Sequence, residues 1–313
     1  MISKDFNKKF SFFIELNDLK KHTTKDGSLS LYSLNYEEGF HDTDGAHKES
    51  INKYLLPAQI DQFSNKEKIV VLDICMGLGY NTGCILEELL KRNHKIEWHG
   101  LEIDQRPLSI GLNEKNYRDL WSPKVLNFFH CLNRSGKWIE DSNQGTIHWG
   151  DARQTISEIK DSLRFDLILL DPFSPQKCPE LWSEQFIYLL SQRLSLDGRL
   201  ITYSSAASIR GSLKRAGLRI YSIIPSFDYQ NRWSSGTVAM KKKLEQQIIS
   251  NNCLLKDLST RELEHLTTRS SIPYRDPTGN KNSKEIILTR EIEQSKSQLL
   301  NTSSWRKRWN TAQ

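Results

Sequence analysis

Leu169-Leu170-Asp171-Pro172-Phe173-Ser174-Pro175 joins an apolar run, Asp166 to Leu170, to a carboxylate, a proline, an aromatic ring and a second proline. Proline has no N–H to give, so a strand entering this stretch stops pairing there. A carboxylate, freed backbone carbonyls and a ring are then left at one rim of a sheet. That set suits a neutral amine: acceptors for its protons and a flat face beside it. Asp, Pro and Ser also build ordinary turns. Taken alone, the stretch is equally a strand that ends in a turn.

A second group of residues lies upstream. Asp73-Ile74-Cys75-Met76-Gly77-Leu78-Gly79-Tyr80-Asn81-Thr82 follows an apolar run. Gly77 and Gly79 let the chain turn tightly and bring backbone N–H groups close to a ligand at a helix start. A dinucleotide site would carry Gly-x-Gly-x-x-Gly, but Thr82 stands where its third glycine belongs. Glu102, followed closely by Asp104, ends the next apolar run, and its two oxygens can accept from both hydroxyls of a ribose. Asp151-Ala152 follows a third run, placed for an adenine amino group. Either acid also suits a helix N-cap or first turn. In an open α/β sheet such strand ends converge on one edge, where ligands bind. The expected cofactor set is Asp73, Gly77, Gly79, Asn81, Glu102, Asp104, Asp151, Ala152 and Asp171, and the expected cofactor is S-adenosyl-L-methionine.

The elements that must carry these residues alternate. Ile69–Cys75, Ile96–Ile103, Thr146–Trp149, Asp166–Leu170, Gly198–Ser204, Leu218–Ile224 and Gly236–Met240 read as strands, continuous and apolar where buried in a parallel sheet. Helices are predicted over Asn81–Arg92, Pro107–Tyr117, from Asp151 to Leu163, Pro179–Leu194 and Ala206–Ala216. Residues 118–145 are hard to place, though Trp121, Phe128, Phe129 and Trp138 suggest buried helical packing. The alternation predicts an α/β fold with a doubly wound, mostly parallel, Rossmann-like sheet of about seven strands. Ser28–Asn35 alternates as a strand, the loop through His41 is polar, and Ala46–Leu56 reads as a short helix. Beyond 241, helices are expected over Leu258–His265 and Lys284–Leu300. The expected division is 1–60, an N-terminal extension covering the active site; 61–241, the main domain; and 242–313, a basic C-terminal extension.

The 313 residues are 37% apolar, with a mean hydropathy of −0.58. No run approaches the ~20 apolar residues of a membrane span, and Met1–Lys9 lacks the apolar core of a signal peptide. The expectation is a cytoplasmic protein with no membrane partner. Cys75, Cys84, Cys131, Cys178 and Cys253 are odd in number and form no Cys-x-x-Cys pair, which argues against a disulfide framework or a zinc site. His41 and His47 have no partners at metal spacing, so no metal is expected. Residues 1–240 hold 30 basic and 30 acidic residues, and residues 241–313 hold 14 and 8. The whole excess of +6 therefore sits in the last 73 residues, as contact with phosphate requires, or as any solvated basic tail shows. No oligomeric state follows from the residues.

Asp73-x-Cys75-x-Gly77-x-Gly79 resembles the first motif of class I methyltransferases, acidic-x-Gly-x-Gly-x-Gly, with Cys75 at the first glycine. Asp171-Pro172-Phe173-Ser174-Pro175-x-Lys177-x-Pro179-Glu180-Leu181-Trp182 is more specific. With Asp197-Gly198 to Ser204-Ser205-Ala206, Arg210-Gly211 to Ala216-Gly217, and His41-x-Thr43-x-Gly45-Ala46-x-x-Glu49-Ser50, it resembles the methyltransferase domain of the MnmC-like enzymes over roughly residues 30–240. The resemblance implies methylation of the aminomethyl nitrogen on C5 of the tRNA wobble uridine. Residues 241–313 are too few for the flavin-dependent oxidase domain that follows in two-domain members, so a stand-alone methyltransferase domain without flavin is expected. Asp171 would hold and orient the amine and Phe173 would lie beside it. His41, Lys177, Arg210, Lys214, Arg306, Lys307 and Arg308 would meet the tRNA at its anticodon stem-loop. Pro172 stands where small residues are common, and resembles the Asp-Pro-Pro-aromatic motif of other amino-methyltransferases. The alternatives are an exocyclic-amine methyltransferase, an aminopropyltransferase of the spermidine synthase type, or a non-catalytic tRNA-binding scaffold.

Overall fold

The structure, a computed structural model, describes residues 18–226, 233–244 and 254–310. Met1–Lys9 and Cys253 lie outside the described residues. The centre is a sheet of strands β4 (Lys68–Ile74), β5 (Lys95–Glu102), β6 (Lys137–Glu140), β7 (Asn143–Trp149), β8 (Phe165–Leu170), β9 (Leu194–Thr202), β10 (Arg219–Ile223), β11 (Gly236–Met240) and β12 (Leu255–Lys256). Their order is β12-β10-β11-β9-β8-β4-β5-β7-β6. The five strands from β9 to β7 are parallel. The outer strands pair antiparallel.

Register decides where the candidate residues end up. Ile74 on β4 pairs with Leu101 on β5 and with Leu170 on β8, while Glu102 pairs with Trp149 on β7. The next residues along each strand therefore emerge at one level. The chain runs from β4 to β5 on one side and returns to β8 on the other. That reversal is the switch point at which open α/β sheets bind ligands.

Side-chain alternation gives the sheet two buried faces. Ile69, Val71, Leu167 and Leu169 face one core, which also takes Leu19, Leu29, Leu31, Tyr54 and Ala58 from the N-terminal segment. Val70, Leu72, Ile168 and Leu170 face the other, which takes Tyr274 and Ile286 from the C-terminal segment. Both flanking segments are thus built into the body of the sheet. The N-terminal segment also forms a small antiparallel sheet of β1 (Leu19–Thr23), β2 (Leu29–Ser33) and β3 (Glu38–Gly39). After it, the helical stretch from Ala46 changes pitch: α to Ser50, π over Ile51–Leu55, α over Leu56–Ala58.

The main sheet has nine strands among the described residues, not about seven. The additional pair are β6, from the stretch that is hard to place, and β12. Ser122 caps a helix over Pro123–Ser135, which buries Phe128 and Phe129 as expected. Trp138, expected in a helix, lies in β6 instead. The helix after Asp151 is only Ala152–Thr155 plus a 3-10 turn to Glu158. The helix expected from Pro179 starts at Glu184, capped by Ser183, because the Trp182 indole is committed to the Phe173 carbonyl at 2.7 Å.

Arg210, expected at a tRNA surface, is 1% exposed. It pairs with Glu262 at 2.9 Å, and the two side chains are 1% and 0% exposed. It also donates to Thr237 and to the hydroxyls of Ser222 and Ser234. Arg210 shares a basic helix with Lys214, but its side chain packs against β10, β11 and the helix Thr260–His265 rather than solvent. At the end of the chain, the helix Thr302–Arg308 buries Trp305, stacked on His265 at 4.1 Å. Arg306 and Lys307 are exposed, as is Arg308, which reaches Glu264 at 3.2 Å. Lys214 is exposed. No described helix is long and apolar enough to cross a membrane. Arg210→Ala strands Glu262 inside and should cost about 3–5 kcal/mol of stability, read from urea denaturation midpoints.

Candidate active site

A cleft of about 1000 Å3 opens over the carboxyl ends of β4, β5, β7 and β8. Gly77, Asn81, Glu102, Asp104, Asp151, Ala152, Asp171 and Phe173 line it, with His41, Glu49 and Lys53 from the N-terminal segment. Its size is at the upper end for small-molecule sites and leaves room for two reactants side by side.

The floor is the turn after β4. Gly77 adopts a φ of 55°, which favours glycine, and a Cβ there would stand 3.3 Å from the Phe40 ring. Its N–H is donated to Glu102 Oε2 at 2.9 Å. Glu102 Oε1 accepts from the N–H groups of Ile103 and Asp104 at 2.7 and 2.9 Å. Burial nevertheless pushes the Glu102 carboxyl above its ordinary value, against these three bonds. Cys75, at the first glycine position of the motif, also has a positive φ, 64°. A side chain pays about 1–2 kcal/mol for that conformation, so the turn wants glycine and tolerates Cys.

Two of the expected cofactor residues do not reach the cleft. Asp73 is wholly buried under the turn and accepts from the Thr82 hydroxyl. Its other oxygen, Oδ1, has no hydrogen-bond partner. Burial pushes it up to about 7. It braces the first turn of the helix Tyr80–Lys91. Gly79 is needed for a φ of 83° and for Phe129, whose ring would lie 2.8 Å from a Cβ. Both were expected at the ligand because spacing cannot tell the surface of a turn from its underside.

The side walls are held by ion pairs. Asp104 grips Arg106, which also reaches Asp18. Asp151 caps the helix Ala152–Thr155 through the Arg153 N–H at 2.9 Å. It pairs with the Arg153 guanidinium, which continues to buried Asp276. Burial works to raise the Asp151 carboxyl, but the Arg153 bonds and charge outweigh it and hold it below the ordinary value. Capping and facing the cleft are compatible here.

Asp171 stands at the far end. Its Oδ1 accepts from the Tyr54 hydroxyl at 2.6 Å and its Oδ2 from the Asn81 amide at 2.7 Å. Burial pushes it up to about 8, against both bonds and with the Glu49 charge adding to the rise. The carbonyls expected to be free beside it are taken: Pro172 O accepts from Tyr203 at 2.9 Å and Phe173 O from Trp182. Glu38 fixes the Ser174 N–H and hydroxyl. The turn is thus rigid, and the amine-holding oxygens reduce to the carboxyl. Phe173 stacks on Tyr36 at 4.3 Å and meets Phe40 edge-on at 5.1 Å. Lys177 does not line the cleft; it is half-buried and paired with Glu37 at 2.7 Å. His41 faces Ser30 at 3.0 Å, and burial lowers it to about 4, so it is neutral.

Tyr54, Tyr36, Phe40 and Tyr203 were not anticipated. Tyr54 is 117 residues from Asp171 in the chain, and no local pattern links them. The only signal was the resemblance at His41 to Ser50, which placed that segment near the site without naming a partner.

A raised carboxyl makes stability depend on pH. Below about pH 4 Asp171 is protonated folded and unfolded. Between about 4 and 8 only the unfolded chain loses the proton, so stability falls as pH rises. Asp171→Asn removes this, and its melting temperature relative to the parent should rise steadily from pH 4 to pH 8.5 in paired calorimetric scans.

Comparison with known proteins agrees with this geometry. Residues 116–232 match the family model described as an S-adenosyl-L-methionine-dependent methyltransferase. An uncharacterised protein of Methanocaldococcus jannaschii is 30% identical over 280 residues, covering 87% of this chain and 72% of that one. The bifunctional tRNA 5-methylaminomethyl-2-thiouridine biosynthesis protein MnmC of an Azoarcus species is 26% identical over 60% of this chain, which spans 31% of that longer protein. The crystal structure of MnmC2 from Aquifex aeolicus superposes with a TM-score of 0.75 and 27% identity, covering 89% of this chain and 86% of that one. This chain belongs to the S-adenosyl-L-methionine-dependent methyltransferase family and is related to the methyltransferase part of MnmC.

Proposed function

We propose that the chain methylates the nitrogen of the 5-aminomethyl group on the wobble uridine of tRNA, giving 5-methylaminomethyl-(2-thio)uridine. The observation that carries this reading is Asp171, a half-buried carboxyl that lines the cleft with Gly77 of the glycine turn and Phe173 and Tyr36 of the stack. The names of the MnmC relatives support a tRNA uridine as the bearer of the amine.

The residues at the glycine turn suit the methyl donor. Glu102 Oε1 already accepts two N–H groups, and Oε2 keeps an unused lone pair for a ribose hydroxyl. Gly77 gives close access, and Asp104, Asp151 and Ala152 form the wall for the adenine end. When bound, S-adenosylmethionine supplies a methyl group activated on a sulfonium sulfur. The chain's own residues must present a neutral nitrogen, because an ammonium has no lone pair. In its ionised form Asp171 accepts an amine N–H, aims the nitrogen and takes its proton, so turnover rises as pH approaches 8. Tyr54 and Asn81 keep the carboxyl from rotating away. Phe173, backed by Tyr36, offers the uracil a face worth ~1–3 kcal/mol.

In this reading residues 1–60 cover the site, 61–241 carry the chemistry and 242–313 present base to the RNA. Lys177, Lys214, Arg306, Lys307, Arg308 and His41 are the contacts proposed for the anticodon stem-loop, in a cytoplasmic enzyme. Arg210 is withdrawn from that set.

Asp171→Ala should retain S-adenosylmethionine binding by calorimetry and lose methylation of aminomethyl-uridine tRNA by about 10²-fold or more; unchanged turnover removes Asp171 from the mechanism. Tyr54→Phe deletes a bond that lowers the Asp171 pKa, so the acidic limb of the rate profile should move to higher pH. Nucleoside analysis of tRNA from cells lacking the gene should show accumulated 5-aminomethyl-uridine, and an unaltered profile would refute the proposed substrate.

A further inference from the structure

Glu49 and Lys53 sit one helical turn apart and form an ion pair, with side chains only 14% and 12% exposed. Both face the cleft beside Asp171, His41 and Tyr203. Glu49 Oε2 also accepts from the Asp42 N–H at 2.6 Å, which anchors the carboxylate in place. After burial and the Tyr54 bond, its charge is the next influence on Asp171, and it acts on His41 and Tyr203 as well. The carboxylate therefore belongs electrically to the acceptor end of the cleft.

Such a pair contributes little even on a solvated helix face. Withdrawing both charges from water costs more than their mutual attraction returns. Glu49 and Lys53 cap no helix and close no sheet edge. What they do show is a primary alkylammonium, the end of Lys53, resting on a carboxylate inside the cleft. The lysine stem is flexible and can withdraw.

We propose that Glu49 is a specificity residue of the acceptor pocket, binding the incoming acceptor as an alkylammonium in place of Lys53, which holds the charge until the acceptor arrives. This rests on the proposed methylation of an aminomethyl group. An alkylamine titrates near the lysine value of about 10, so it reaches the pocket charged. The exocyclic amines of bases are neutral. They gain only a hydrogen bond from Glu49 and leave its charge unmatched once Lys53 has withdrawn. Glu49 thus selects alkylamine over base amine, and Asp171, beside it, when ionised receives the proton that the ammonium must lose before the nitrogen can react.

The test compares one tRNA carrying 5-aminomethyl-uridine with the same tRNA carrying cytidine, a base amine, at that position, as ligands at pH 7 and, for the first, as substrate. The parent protein should prefer the aminomethyl form by roughly tenfold, as expected for one desolvated charge pair. Glu49→Gln keeps the acceptor for the Asp42 N–H and should remove most of that preference. Its KM for the aminomethyl tRNA should rise more than its kcat falls, with unchanged affinity for S-adenosylmethionine. An undiminished preference in Glu49→Gln overturns the role of Glu49 and leaves the methylation reading standing. A parent protein that methylates no aminomethyl-uridine tRNA overturns both. Lys53→Met is the second arm and decides the matter if Glu49→Gln does not fold. It should keep or enlarge the preference, because the resting counter-ion no longer competes, and a lost preference overturns the proposal.

Discussion

The site depends on one half-buried carboxyl group. Asp171 follows the last residue of β8, and its own N–H is donated to Ile74 O of β4 at 3.2 Å. Its side chain is fixed by a tyrosine from the N-terminal helical stretch and an asparagine from the helix after the glycine turn. Three separate parts of the chain therefore meet on two oxygen atoms. A carboxyl placed this way is costly, because burial opposes its ionisation. It persists because the parallel strands on either side are paired in register and cannot relax locally.

The same constraint organises the other end of the cleft. Glu102 ends β5 and accepts from the turn after β4, so the neighbouring strands are latched at their tips. Asp73 below and Thr82 beside it tie the turn to the following helix. The parts that line the cleft and the parts that brace it alternate along a ten-residue stretch. That alternation is why a motif read as one ligand site divides into contacts and supports.

The flanking segments complete the enclosure. Glu38, Phe40 and Tyr36 cover the Pro172-Phe173-Ser174 turn from the N-terminal side. Asp276 reaches Arg153 from the C-terminal side and so steadies Asp151. The buried Arg210–Glu262 pair fastens the C-terminal segment to the last strands of the sheet. Among its described residues, Lys242, Lys284, Lys296 and the basic side chains of the last helix face outward.

The sequence by itself determined the sheet and the level at which its acids emerge. Apolar runs of strand length alternated with helical periodicity, and those signals are local. Gly77, Glu102, Asp151 and Asp171 were legible for that reason: each directly follows or ends such a run. The motif around Lys177 to Trp182 pointed to the family in the same local way. What only the tertiary structure decided was direction and distance. Arg210 and Lys214 share one short helix, yet one is enclosed and the other free to meet solvent, because two later segments pack across one side of it. Tyr54, Glu49 and Lys53 approach Asp171 through the fold of a segment more than a hundred residues away. No spacing rule within a chain reports such an approach, since it is set by which faces of the sheet remain to be covered.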